Sequence, residues 1–303
     1  MTDFRTAMST SGLLPSDIIP DGKWRRCRTT DHPKKANGAY LLSIDARRGW
    51  WKNYATELSF NTWADDGNAP QVDPARAARE QARIERMIAQ KRAEEATKHG
   101  RAMARAQALI HKARPGPANY LHRKGFPLAQ GLVLDDMSLI VPMRDWRTNE
   151  LLGVQAMRWN AEAMEWEKKF TAGMRAKVAV YRLGRATAAE TWLVEGLATA
   201  MSVEAALRHA HMDASVLVTF SASNLIHVAK AIKARDPKAM LFGFADNDPP
   251  KPPTNPGHAG ERACIEAGIP YAMSPTPGYD ANDMHMKNGL LSVVGLMMKA
   301  RRG

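Results

Sequence analysis

Cysteine is nearly absent from this sequence of 303 residues, which contains only Cys27 and Cys264. Two cysteines so far apart support neither a disulfide framework nor a thiolate zinc site, and the histidines show no paired spacing typical of metal ligands. We therefore expect no zinc site and a reducing, cytoplasmic setting.

Long apolar runs are also missing. No segment approaches the roughly 20 apolar residues that span a bilayer, and the N-terminus has no charged region followed by an apolar core. The longest apolar stretch, residues 290–298, is typical of an amphipathic helix. These absences predict a protein with no signal peptide and no membrane-spanning helix.

Acidic residues are outnumbered by basic ones. The chain has 31 Asp and Glu against 43 Lys and Arg, so its formal net charge is +12. A hydrophobic fraction of 45% argues against global disorder. The positive charge predicts a polyanionic partner, and nucleic acid is the simplest choice.

Against this basic background, carboxylates follow two apolar runs. Residues 191–194 lead into Glu195, and residues 241–245 lead into Asp246 and Asp248. Such runs are typical of buried parallel strands, and ligands collect at the carboxyl ends of those strands. Three carboxylates gathered there repel one another unless a divalent cation neutralises them. The pattern therefore predicts a metal site in a protein that acts on a polyanion.

Strand and helix patterns alternate from residue 191 onward. Apolar runs at 191–194, 215–220 and 240–245 are separated by helical patterns at 197–209 and 225–235. Alternation of this kind predicts an α/β fold with a parallel sheet and crossover helices.

The sequence divides into four predicted segments. Residues 1–68 form a small β-rich module. Residues 69–115 form a long, basic helical connector, either one helix or two consecutive ones, that is predicted to begin at Asp73. Residues 116–185 include a hairpin pattern at 138–157, and residues 186–303 carry the α/β pattern. The tryptophans of the first module either fill a small core or stack on nucleic-acid bases, and the sequence leaves both interpretations open.

Several motifs, taken together, resemble a known family. Glu195-Gly196 and Asp246-x-Asp248 each follow a predicted strand, and a helix start rich in small residues follows at 257–260. This combination resembles the Toprim domain shared by bacterial-type primases, topoisomerases and some nucleases. The chain is similar over nearly its whole length to the primases of phages and plasmids, through these further motifs: Asp21-Gly22-Lys23, Tyr120-Leu121-x-Arg123-Lys124-Gly125, Leu197-Ala198-Thr199-Ala200 and Asp280-x-Asn282-Asp283.

The resemblance implies a DNA primase, a nucleotidyltransferase that makes short RNA primers on single-stranded DNA from nucleoside triphosphates. It implies that Glu195 acts as a general acid or base or binds metal, and that Asp246 and Asp248 hold Mg²⁺ or Mn²⁺. For Asp280 and Asp283 a metal-site role and simple turn chemistry remain equally open. Because the sequence has no phosphate-binding loop of the helicase type, we expect a separate replicative helicase as partner, in the cytoplasm of a bacterial host cell.

The resemblance also implies a set of basic contacts to template or nucleotide. Primases of this kind use basic residues ahead of the catalytic sheet for that purpose. The residues concerned are Arg123, Lys124, Lys168, Lys169 and Arg175.

The chain departs from the family pattern in one main respect. Cellular primases of this type read the template with a zinc ribbon, which this sequence cannot build, so the β-rich module or a partner would supply that function. Two rival interpretations are a Toprim-type metal-dependent nuclease and a non-catalytic nucleic-acid-binding replication accessory. The intact Glu195, Asp246 and Asp248 argue against the accessory.

Overall fold

The computed structural model describes residues 3–57, 59–65, 74–250 and 257–302. The chain forms two units, Met1–Lys91 and Arg92–Gly303. Within these described ranges, none of the helices combines the length and the hydropathy of a membrane span. The predicted helix start at Asp73 lies outside the described residues.

The first unit is built on an antiparallel sheet of five strands that pair in chain order. Side chains alternate across these strands, and the buried set Cys27, Tyr40 and Trp51 packs with Phe4 and Met8. Trp51 therefore fills a small core, which is one of the two roles that the sequence left open for the tryptophans of this module. The elements are α1 (Phe4–Ser9), β1 (Leu13–Leu14), β2 (Arg25–Thr29), β3 (Gly38–Leu42), β4 (Arg48–Asn53) and β5 (Asn61–Ala64).

One uninterrupted helix, α2 (Pro74–Lys112), follows. The sequence favoured either one long helix or two consecutive ones, and the structure has one. In the second unit, Ala106 of this helix and Ala113 just beyond it pack on Ile140, Leu151 and Val154.

The second unit contains a ten-stranded sheet whose first half is mostly antiparallel. The hairpin predicted from residues 138–157 is confirmed by the antiparallel pairing of two of these strands around the turn at Asn149. The elements are β6 (Arg114–Pro117), α3 (Asn119–Arg123), β7 (Gln130–Val133), β8 (Leu139–Asp145), β9 (Leu151–Asn160), β10 (Glu165–Phe170) and β11 (Ala179–Leu183).

The second half of the sheet is parallel. Its strands lie in the order β13-β12-β14-β15 and pair in parallel throughout. The elements are β12 (Glu190–Val194), α4 (Leu197–His209), β13 (Ala214–Val218), α5 (Ala222–Arg235), β14 (Met240–Ala245), α6 (Ala259–Ala267), β15 (Tyr271–Met273), α7 (Ala281–Asn288) and α8 (Leu290–Arg302).

The α/β prediction is thus confirmed, but the sheet is mixed rather than wholly parallel. Strand β11 pairs antiparallel with β8 on one side and with β13 on the other, so it joins the two halves. The finer assignment to a Toprim layout stays a prediction.

Strand β12 lies at the centre of the parallel half, between β13 and β14. Trp192, Leu193 and Val194 are fully buried, as the continuous apolar run predicts for a strand covered on both faces. Leu193 pairs in register with Gly243 of β14. The residues that follow these two strands therefore lie at the same edge of the sheet.

Candidate active site

Four carboxyl groups gather at this edge of the sheet. Glu195 follows β12, Asp246 and Asp248 follow β14, and Asp280 precedes α7. Burial, together with the negative charges of Asp280, Glu195 and Asp248, raises the pKa of Asp246 well above its usual value. The Oδ1 atom of Asp246 is buried and has no hydrogen-bond partner. The structure therefore brings together the three carboxylates that the sequence singled out, with Asp280 as a fourth.

Glu195 is held at the start of a helix. The side chain is half-buried, and the backbone N–H of Ala222, the first residue of α5, donates a hydrogen bond to its carboxyl group. Burial raises the pKa of Glu195, and the charge of Asp248 adds to this rise, while the hydrogen bond opposes it. A carboxyl group with a raised pKa is better able to exchange a proton near neutral pH, which suits a general acid or base.

Gly260, in the first turn of α6, lets that helix approach the carboxylates closely. A Cβ atom at this position would lie 2.8 Å from Oε1 of Glu195, 3.3 Å from the backbone N of Asp246 and 3.4 Å from Cα of Ala245. The sequence indicated a helix start rich in small residues here, but it did not show which side chain needs the space.

We expect Gly260→Ala to lower activity strongly while the protein stays folded. The added methyl group displaces the Glu195 carboxyl group, which is the flexible side of the contact, and alanine itself favours a helix. Gly295→Ala in α8 is the matched control, because nothing lies within 4 Å of its new Cβ. The control should keep full activity and gain up to about 1 kcal/mol of stability. Equal activity in the two variants would show that Glu195 does not need its present position.

Asp280 and Asp283 form a capping box at the start of α7. Asp280 Oδ1 accepts a hydrogen bond from the Asp283 N–H at 2.8 Å, and Asp283 Oδ2 accepts one from the Asp280 N–H at 3.2 Å. Asp280 Oδ2 also accepts a hydrogen bond from Thr199 Oγ1 at 3.0 Å. Both carboxyl groups thus cap the turn before α7, which is one of the two roles that the sequence left open for them. A metal-site role for Asp283 stays a prediction.

A lysine and a tyrosine face the carboxylates. Lys168 is exposed as a residue, yet partial burial of its ammonium group lowers its pKa, and the charge of Lys124 does so too. The negative charges of Asp280 and Asp246 raise the pKa of Lys168 and so oppose this effect. The ammonium group lies 5.7 Å from the ring centre of Tyr120. Lys168 therefore places positive charge beside the acidic edge, and Lys124 lies close enough for its charge to act on Lys168.

Tyr120 belongs to the site, although sequence reasoning used it only as part of a motif. It is 2% exposed, and burial together with the charges of Asp280 and Asp246 raises the pKa of its hydroxyl group. No local pattern could have shown this, because the tyrosine and the two carboxylates are far apart in sequence.

A buried amide ties α7 to the basic end of α3. Asn282 Nδ2 donates hydrogen bonds to the backbone oxygen of Lys124 at 2.8 Å and to Ser202 Oγ at 3.2 Å. On the same short helix, the Arg123 guanidinium lies 4.4 Å from the ring centre of Trp159. The motifs around Lys124 and Asn282 are therefore in direct contact in the folded chain.

Lys169 and Arg175 form ion pairs with acidic residues outside this cluster. Lys169 pairs with Glu167 at 2.8 Å on an exposed strand. Arg175 pairs with Asp145 at 2.9 Å and lines an open cleft of about 770 Å³ that contains none of the four carboxylates. Their proposed roles in template or nucleotide binding stay predictions.

The donor chemistry of the acidic edge fits a divalent cation. Within the described part of the chain, no three His, Cys, Asp or Glu side chains are arranged as an assembled metal-binding group. The carboxyl groups nonetheless repel one another, and the buried Oδ1 atom of Asp246 has no partner. A cation relieves both of these costs, and carboxylate oxygens are the ligands that Mg²⁺ prefers.

No protein-family model matches the chain, and neither does any curated protein. One similar solved structure is bacteriophage T7 lagging-strand DNA polymerase interacting with primase domains of two gp4 subunits bound to an RNA/DNA hybrid and dTTP. That match has 14% identity and a TM-score of 0.42, and it covers 64% of this chain and 95% of that chain. Another is the primase fragment of the bacteriophage T7 primase-helicase protein, at 14% identity and a TM-score of 0.40, covering 63% and 76% of the two chains. Similarities this weak do not identify the function of this chain, which depends on the chemistry of its site.

Proposed function

We propose that this protein is a DNA primase that makes short RNA primers on single-stranded DNA by metal-dependent nucleotidyl transfer. The observation that carries the proposal is Asp246, whose buried, unpartnered oxygen lies among the charges of Glu195, Asp248 and Asp280. Such a cluster suits chemistry on phosphates with a bound cation. The Toprim-like motifs around these residues favour a primase within that class.

Each residue has a specific role in this proposal. Asp246 and Asp248, with Glu195 as a candidate third ligand, would hold Mg²⁺ or Mn²⁺, and the ion would supply charge stabilisation to the primer 3′-oxygen and the leaving pyrophosphate. Where Glu195 is not itself a ligand of the ion, its raised pKa suits it to take the proton of the reacting hydroxyl group. Lys168 and Lys124 bind the phosphates of the nucleoside triphosphate.

The proposed partners follow from charge and from the motifs. A net charge of +12 favours a single-stranded DNA template, and affinity for it should fall steeply with added salt. Duplex unwinding is assigned to a separate replicative helicase.

A primer-synthesis assay tests the proposal. The parent protein, with single-stranded DNA, labelled nucleoside triphosphates and Mg²⁺ or Mn²⁺, should give short labelled products. Glu195→Gln should lower their yield by on the order of 100-fold, in the range of effects seen for general acid–base groups. The matched control is Glu266→Gln, which removes only the exposed ion pair with Lys230.

Two outcomes would contradict the proposal. Metal-dependent loss of the template without labelled products would indicate a nuclease that uses the same carboxylates. Tight template binding without products or template loss would indicate a replication accessory.

A further inference from the structure

The outer face of the N-terminal sheet carries aromatic and basic side chains. The alternation that turns Cys27, Tyr40 and Trp51 inward leaves Arg26 and Lys52 on the opposite face. Strand register aligns Arg26 with Ala39 and Ala39 with Lys52, so the two cations flank a small residue. This face has a different composition from the apolar core on the other side of the sheet.

Three aromatic rings at the ends of the strands are exposed. Trp24 directly precedes β2, Tyr54 directly follows β4 and Phe60 directly precedes β5, and their exposed fractions are 50%, 45% and 48%. The Trp24 and Phe60 rings lie 4.9 Å apart between centres, with planes tilted by 46°. Large side chains that are half-exposed and in contact with one another form an apolar surface patch, which is typical of a binding site.

Cations lie directly against these rings. The Arg26 guanidinium is 4.4 Å from the ring centre of Tyr54. Lys52 Nζ is 5.5 Å from the ring centre of Tyr54 and 5.4 Å from that of Phe60. The face therefore offers stacking surface and positive charge within one side-chain length of each other. That pairing complements a ligand with flat apolar groups on an anionic backbone.

We propose that the aromatic–cation face, consisting of Trp24, Arg26, Lys52, Tyr54 and Phe60, binds a single-stranded nucleic acid. Unpaired bases stack on the three rings, and the phosphates between them meet the two cations. A duplex does not suit the face, because its bases are already stacked on each other. The inference rests on this face alone and holds whether or not the acidic edge makes primers.

The test measures the affinity of the full chain for short oligonucleotides of deoxythymidine and of uridine. The double variant with Trp24→Ala and Phe60→Ala should lose about tenfold in affinity for each ring removed. Its thermal stability should stay close to that of the parent, because both rings are half-exposed. An oligonucleotide of the same length without bases should bind weakly and should not distinguish the parent from the variant.

Charge is tested on the same face. Arg26→Ala should lower affinity and also reduce the salt dependence of binding. The matched control is Lys35→Ala, which removes an equal charge from an exposed turn of the same unit. Equal losses in these two variants would contradict a specific role for the face.

Photocrosslinking locates the binding site. With a halogenated uracil in the oligonucleotide, adducts are expected at Trp24, Tyr54 or Phe60. Adducts confined to residues 92–303, or unchanged affinity in the double variant, would overturn the proposal. The proposal would also be overturned if the parent protein self-associates and the double variant no longer does, while the double variant binds the oligonucleotide as tightly as the parent. Stronger binding of one of the two oligonucleotides would identify DNA or RNA as the strand that this face takes.

Discussion

Asp246→Asn is expected to abolish most primer synthesis and, at the same time, to stabilise the metal-free protein. Burial and three neighbouring carboxyl groups make the ionised form of Asp246 costly, and its raised pKa is the direct sign of that cost. Asparagine keeps the shape but carries no charge, so the repulsion disappears. Activity should fall by on the order of 100-fold or more, because a neutral amide is a poor ligand for Mg²⁺.

The comparison needs both activity and unfolding measured on the same variants. Unfolding in urea with a chelator present compares the parent, Asp246→Asn and the control Asp135→Asn, whose carboxyl group lies in an exposed turn. The control should match the parent in both measurements. A metal-free Asp246→Asn protein that is less stable than the parent, or one that keeps full activity, would contradict this interpretation of the site.

The pH dependence of stability follows from the same raised pKa. Between the usual value of 3.8 and the raised value in the folded state, the folded protein binds more protons at Asp246 than the unfolded protein does. Protonated Asp246 therefore stabilises the folded protein relative to the unfolded one. This stabilisation is fully present below pH 3.8 and is lost as pH rises through the folded pKa. The stability gap between Asp246→Asn and the parent should widen with rising pH. A gap that is independent of pH would show that repulsion among the carboxylates is not its cause.

The second large effect is expected from the metal itself. An ion that binds only the folded protein at a hundredfold excess over its Kd adds about 2.7 kcal/mol to the free energy of unfolding. Mg²⁺ or Mn²⁺ should therefore raise the Tm of the parent, and the rise should shrink at low pH because the carboxyl groups must lose their protons to bind.

The matched variants decide whether this stabilisation arises at the acidic edge. Asp246→Asn should remove the metal-dependent rise in Tm, whereas Asp135→Asn should keep it. The same rise in both variants would place the ion elsewhere on the protein.

Much of the parallel half of the sheet could be predicted from local patterns. The helix α4 at Leu197–His209 and the strand β14 at Met240–Ala245 begin and end where the sequence indicated. Both are bounded by abrupt changes from apolar to polar residues or by glycine, which mark the ends of buried elements. The same signals placed Glu195 and Asp246 at strand ends.

The remaining features depend on contacts between distant parts of the chain. Residues 114–117, at the boundary between two predicted segments, were not predicted as a strand, yet they form the edge strand β6, where proline is tolerated. The joining role of β11 follows from its two antiparallel partners rather than from its own sequence. In the site, the need for Gly260 beside Glu195 and the place of Tyr120 beside Asp246 become visible only when the elements pack.

Locating Mn²⁺ by anomalous diffraction in crystals of the parent protein would test the proposed metal site most directly. We predict an anomalous peak bounded by the carboxyl groups of Glu195, Asp246 and Asp248, and no such peak in crystals of Asp246→Asn. A parent structure soaked in Mn²⁺ that shows no peak at these carboxylates, or a peak only at another site, would contradict the proposal that they hold the catalytic metal.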